Sequence, residues 1–153
     1  MLRISKMTDY AIQVMVSLYS ADQLEPGVML STHKLAERIH LEPPTVSKVM
    51  KLLCQQELVK SIRGAHGGYL LERSGELISV AEIITAIEGP IAMTECSVED
   101  NLCGQQSVCG LSTNWRRISE AVASALSGVS LADMSGPVDS RQIPNLHIAT
   151  LIA

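Results

Sequence analysis

The sequence predicts a mainly α fold: a winged helix-turn-helix domain with a two-stranded wing, followed by a long helix made to pack against another helix. Three observations carry that prediction. Three apolar stripes at helical spacing follow one another before residue 57. The glycine-rich link GAHGG then joins two short β-type runs. Beyond residue 110, apolar residues recur three and four apart along one stretch.

Taken in order, Thr8 is expected to cap the first helix. Met7, Tyr10, Ala11, Val14 and Leu18 form its apolar stripe, which stops at the turn LEPG, residues 24–27. Ser31 or Thr32 opens a short second helix with Leu35, Ala36 and Ile39. Pro43 and Pro44 suit the first positions of a third helix, where backbone N–H groups have no helical partner. Its apolar face is Val46, Val49, Met50 and Leu53, and it runs to about Gln56. Cys54 falls on that face and reads as a small core residue. The β runs are Leu58–Arg63 and Tyr69–Glu72, with the glycines between them supplying positive φ. Ser79 and Glu82 form a capping box for a fourth helix that Gly89 closes. The long helix starts near Ser112 or Thr113, with Trp115, Ile118, Val122, Ala125 and Val129 as its seam. A short helical turn, SLADM, follows. The expected organisation is a DNA-binding domain over 1–75, a loop and dimerisation helices over 76–134, and a tail over 135–153 to which the sequence assigns no role.

No apolar run approaches the length of a membrane span, and the N-terminus lacks the pattern of a signal peptide. A cytoplasmic protein is expected, where clustered thiols bind metal or do redox work more often than they form disulfides. The net charge is −4, yet it is unevenly placed. Residues 1–75 hold nine Lys/Arg against seven Asp/Glu, a balance of +2, whereas residues 76–153 hold three against nine, a balance of −6. Local basic groups decide phosphate affinity, so the front half can face DNA.

A recognition helix needs short polar and basic side chains on its exposed N-terminal half to reach base edges. Thr45, Ser47, Lys48 and Lys51 fit that need. Ser31 and Thr32 open a helix whose N-terminus can hold a phosphate oxygen. Arg63 and His66 flank the wing glycines, where an arginine can enter the minor groove. Each residue alone is also compatible with a solvated surface; their combination in this order points to double-stranded DNA.

Cys96, Cys103 and Cys109 lie in TECSVEDNLCGQQSVCG, separated by six and five residues. Three thiolates suit a metal or an iron–sulfur cluster with one position left for another ligand. The spacing lacks the C-x2-C knuckle of structural zinc sites. Free thiols or a redox disulfide pair are the alternatives. His33, His40 and His147 have no ligand partners in the sequence and read as surface residues.

ISKMTDYAI, SIRGAHGGYLL, the C-x6-C-x5-C loop and Trp115 six residues after Cys109 together resemble the iron–sulfur winged-helix regulators of the IscR and NsrR type. LRISKMTDYA, RGAHGGY and EGPIAMTECS are most similar to the branch that regulates the SUF cluster-assembly operon. The resemblance covers about residues 1–135. It implies a repressor that is a homodimer joined through the long helix, with Trp115, Ile118, Val122 and Ala125 at the interface. It also implies a [2Fe-2S] or [4Fe-4S] cluster on Cys96, Cys103 and Cys109, and control of cluster-assembly genes. One position departs from the pattern. IscR-type proteins carry a histidine three residues after the last cysteine, and here that residue is Ser112. NsrR-type proteins use an aspartate of the first helix, donated by the other protomer, and the matching residue here is Asp9. Glu95, Glu99 and Asp100 are further candidates for the fourth ligand, and a carboxylate in a first helical turn also simply favours the helix dipole.

Two other functions remain compatible with the residues. One is a winged-helix regulator that responds to thiol oxidation or zinc without a cluster. The other is a cluster-carrying protein that does not bind DNA. No nucleophile, base and orienting residue can be grouped, so an enzyme is not expected.

Overall fold

The computed structural model describes residues 3–98, 103–104 and 109–136. Glu99, Asp100, His147 and nearly all of the tail lie outside the described residues.

Helix α1 (Lys6–Leu24) begins earlier than its apolar stripe suggested. Ser5, not Thr8, is the cap: its backbone is extended and its hydroxyl accepts from the Thr8 N–H at 3.2 Å. Thr8 sits inside the first turn and is fully buried, committed to a distant partner described below. The helix ends at the expected turn, where Gly27 has φ +77° and its N–H donates to Asp22.

Helix α2 (Thr32–Ile39) is capped by Ser31 and closed by His40 in the left-handed region. Helix α3 (Pro43–Gln55) opens on its two prolines. Val46, Val49, Met50 and Leu53 are all buried, as their spacing requires. Cys54 is half-buried at the edge of the same core, and that burial pushes its thiol pKa up.

Strands β1 (Val59–Ile62) and β2 (Gly68–Leu71) pair antiparallel, Val59 opposite Leu71 and Ile62 opposite Gly68. Leu30 adds a two-bond bridge on the other edge of β2, exchanging N–H···O bonds with Tyr69 at 3.0 and 2.9 Å. The wing is therefore anchored to the start of α2. Its glycines serve two different purposes. Gly64 takes positive φ, +128°. Gly67 and Gly68 instead allow close approach: a Cβ on Gly67 would meet the Ile62 carbonyl oxygen at 2.2 Å, and one on Gly68 the Leu30 oxygen at 2.9 Å. Only the first of the three meets the expectation of positive φ.

Helix α4 (Val80–Glu88) carries the capping box, with Ser79 and Glu82 bonded reciprocally, and ends at Gly89 with φ +87°. A short helix α5 (Glu95–Val98), the long helix α6 (Ser112–Ser127) and α7 (Leu131–Ser135) follow. The chain leaving α6 returns to the start of α4 through Val80 N–H to Val129 O and Leu131 N–H to Ile78 O. Leu131 joins the main core with Ile78, Ile83 and the buried faces of α1, α2 and α3. Helix α6 differs. Ser119 is its one buried residue. No helix among the described residues is long and apolar enough to cross a membrane.

Candidate nucleic-acid interface and thiol segment

The polar face of α3 is open to solvent. Ser47, Lys48 and Lys51 are exposed, spaced three and four apart on one face, and Thr45 beside them is half-buried. Val46, Val49 and Met50 on the opposite side fix the helix, so these side chains need no core contacts of their own. Ser31 spends its hydroxyl on the α2 cap, accepting from the Lys34 N–H at 3.3 Å, and Thr32 is half-buried at the first helical position. Arg63 and His66 project from the wing turn, which is closed by the Gly67 N–H to Gly64 O bond at 3.0 Å.

The thiol segment starts beyond Gly89 and Pro90. Cys96 is buried, 7% exposed, on α5. The Thr94 hydroxyl lies 3.2 Å from its sulfur and also bonds Ser97. The Met93 N–H donates to Ser119 Oγ, whose own proton goes to the Trp115 carbonyl. The segment is thereby pinned to α6. A groove of about 440 Å³ runs alongside, lined by Ile91, Ser97, Val98, Arg116, Ser119 and Glu120 among others. Cys103 and Cys109 are half-buried.

The donor set suits an iron–sulfur group: three thiols, none of them in a disulfide. Among the described residues, no three His, Cys, Asp or Glu side chains are near enough to share one metal ion. Residues 99–102 and 105–108 of the segment fall outside that description. Asp9 is exposed on α1 and accepts from the Gln13 side-chain amide at 2.9 Å.

On α6, Trp115 and Ile118 are 38% and 45% exposed, with Leu111 at 58% just before the helix. Val122 and Ala125 are half-buried. The apolar seam is thus largely uncovered within one chain.

Three residues of this region escaped sequence reasoning. Ser119 interrupts an apolar seam, a signal available in hindsight. Thr94 gave none. Glu88 reads as an ordinary surface carboxylate at a helix end, yet it accepts from the Ser5 N–H at 3.0 Å and from the Thr8 hydroxyl. Those two donors, Thr8 first, hold its carboxyl below the usual range.

A basic, exposed helix face, a glycine-built wing and a helix with an uncovered apolar seam define a winged helix-turn-helix transcriptional regulator. The chain belongs to the Rrf2 family, described as an iron-dependent transcriptional regulator, which matches residues 4–137. The HTH-type transcriptional regulator Rv1287 of Mycobacterium tuberculosis is 33% identical over 139 residues, 88% of this chain and 82% of that protein. The HTH-type transcriptional regulator IscR of Yersinia pestis is 29% identical over 144 residues, 93% and 84% of the two chains. Among solved structures, CymR, the global cysteine regulator of B. subtilis, aligns with a TM-score of 0.66 at 30% identity, covering 88% of this chain and 97% of that one. T. potens IscR aligns with a TM-score of 0.67 at 27% identity, covering 93% and 92%. These relatives are transcriptional regulators, not enzymes.

Proposed function

We propose that this chain is a homodimeric DNA-binding repressor that senses an iron–sulfur cluster and controls cluster-assembly genes. Residues 1–75 read the operator through Thr45, Ser47, Lys48, Lys51, Arg63 and His66, with Ser31 and Thr32 at the phosphate backbone. Residues 76–134 carry the thiols and the dimer helix. Cys96, Cys103 and Cys109 would hold the cluster, and Asp9 of the partner protomer would supply the fourth ligand.

The observation that carries this reading is the attachment of the thiol segment to α6. Met93 and Ser119 join it to the helix whose apolar face, Trp115 and Ile118, is open. Cys96 lies three residues from that joint, so a change at sulfur would be passed through it to the surface that sets how two reading heads are spaced. A bound cluster supplies a centre whose presence depends on iron and sulfide supply. The protein's part is to hold thiolates, to orient the segment on α6, and to convert its position into dimer geometry.

Thiol-based regulation without a cluster is the second reading. It is favoured by the similarity to CymR, the global cysteine regulator of B. subtilis, and by the hydrogen-bonded Cys96 thiol.

Anaerobic purification with visible absorption, iron and sulfide counts separates the two. A brown protein with sulfide-to-iron bands is expected. Cys96→Ala, Cys103→Ala and Cys109→Ala should each lose iron and sulfide, whereas Cys54→Ala keeps both. Asp9→Ala should speed loss to chelator, and Ser112→Ala should not. A colourless wild type whose DNA binding responds to thiol oxidants would establish the second reading instead.

A further inference from the structure

We propose that Glu88 is a positioning residue: it locks the Asp9-bearing first turn of α1 to the root of the same chain's thiol segment, so that the carboxylate each protomer donates to its partner's site is held on a fixed support. The inference rests on the reading of Asp9 as a ligand.

Three features of the joint point this way. First, one oxygen of Glu88 accepts two donors from the start of α1, the Ser5 N–H at 3.0 Å and the Thr8 hydroxyl. Thr8 is fully buried, so the contact is shielded on that side. A charged acceptor with two convergent donors makes a stronger and more directional tie than a neutral pair. Second, Asp9 is the next residue along, exposed, with its carboxylate accepting from the Gln13 side-chain amide at 2.9 Å. Its own contacts do little to hold it. Where Asp9 sits is therefore set by the turn beneath it. Third, Glu88 is the last residue of α4. The chain passes through Gly89, φ +87°, and Pro90 directly into the segment that bears Cys96.

Helix α1 also lies against α2, α3, α4 and α7. A shift of its first turn is transmitted along a rigid rod that touches both helices of the reading head. Glu88 thus stands where the thiol segment, the donated carboxylate and the helix-turn-helix share one support. Groups that hold a ligand without touching the metal commonly change metal retention by about tenfold or more when removed.

The test uses the full chain in two states. On metal-free protein, hydrogen exchange is followed at residues 5–9. On anaerobically iron- and sulfide-loaded protein, iron release to a ferrous chelator is timed. Wild type, Glu88→Ala, Glu88→Gln, Thr8→Val and Asp9→Ala are compared. Glu88→Ala and Thr8→Val should raise exchange at residues 5–9 and speed release about tenfold, approaching Asp9→Ala. Glu88→Gln keeps an acceptor oxygen but loses the charge, and should fall between wild type and Glu88→Ala in both. If Glu88→Ala does not fold well enough to purify, Thr8→Val against Glu88→Gln decides on the same criteria. Unchanged exchange, or faster exchange with release at the wild-type rate, overturns the proposal. So does release from Asp9→Ala at the wild-type rate. A wild type that takes up no iron and sulfide overturns it by a different route, visible in the control alone, because the cluster reading has then failed.

Discussion

Ser119 Oγ accepts a hydrogen bond from the Met93 N–H at 2.9 Å, joining two residues 26 positions apart and fixing the thiol segment to the long helix. The same hydroxyl donates to the Trp115 carbonyl one turn earlier. A single buried side chain therefore satisfies both the segment and the helix.

Ser119→Ala should remove that joint. A half-buried backbone N–H left without a partner costs about 1–3 kcal/mol. The urea midpoint should fall accordingly, and Cys96 should react faster with an alkylating reagent as its segment loosens. An unchanged midpoint together with unchanged Cys96 reactivity would show that the bond is dispensable.

Ile118→Glu should disrupt self-association. Ile118 and Trp115 stand open on α6, and the rest of the seam, Val122 and Ala125, is only half covered by the chain itself. An unpaired carboxylate buried between two such helices is unfavourable by on the order of 3 kcal/mol or more. Light scattering should report a monomer or aggregates. A dimer of wild-type affinity would move the interface to another surface.

Arg63→Ala should weaken operator binding by about 1–3 kcal/mol, the scale of one good arginine contact. Lys48→Ala or Lys51→Ala, if phosphate contacts, should weaken all duplexes alike and reduce the salt slope by about one. Titrations on operator and scrambled duplex at several salt concentrations distinguish the two kinds of contact. Wild-type binding by Arg63→Ala on both duplexes would remove the wing from the interface.

Gly67→Ala should damage DNA binding without touching a DNA-facing side chain. Its Cβ would sit 2.2 Å from the Ile62 carbonyl oxygen, so the wing turn must be rebuilt. Loss of operator affinity with an unchanged far-UV spectrum is the expected result. Full affinity would mean that the wing adapts freely or makes no contact.

Glu88 should make stability depend on acid pH. The Thr8 hydroxyl, then the Ser5 N–H, lower its carboxyl pKa below the ordinary 4.5. A depressed folded-state value contributes stability that is fully present above the unfolded value and is lost as pH falls through the folded one. The advantage of wild type over Glu88→Gln in urea denaturation should hold at about pH 6 and shrink below about pH 4.5. A gap that is constant across that range would assign the stabilisation to packing instead of charge.

What the sequence determined by itself is the order of elements, because its signals are local. Apolar residues at helical spacing placed α1 to α4 and α6, two prolines opened α3, and Ser79 with Glu82 announced the start of α4. The thiol spacing and the basic face of α3 were equally legible, since both are read within one short stretch. The tertiary structure decided what depends on distant partners. Thr8 looked like a cap because threonine caps helices, but Ser5 takes that role and leaves the Thr8 hydroxyl for Glu88, 80 residues away. Wing glycines looked alike, yet Gly67 and Gly68 are needed for contacts with Ile62 and Leu30 that only the folded chain creates. Leu131, in a short helical turn near the tail, belongs to the main core because the chain after α6 pairs back onto residues 78–80. Periodicity and capping are properties of neighbouring residues, whereas these contacts exist only once separate elements have been brought together by burial.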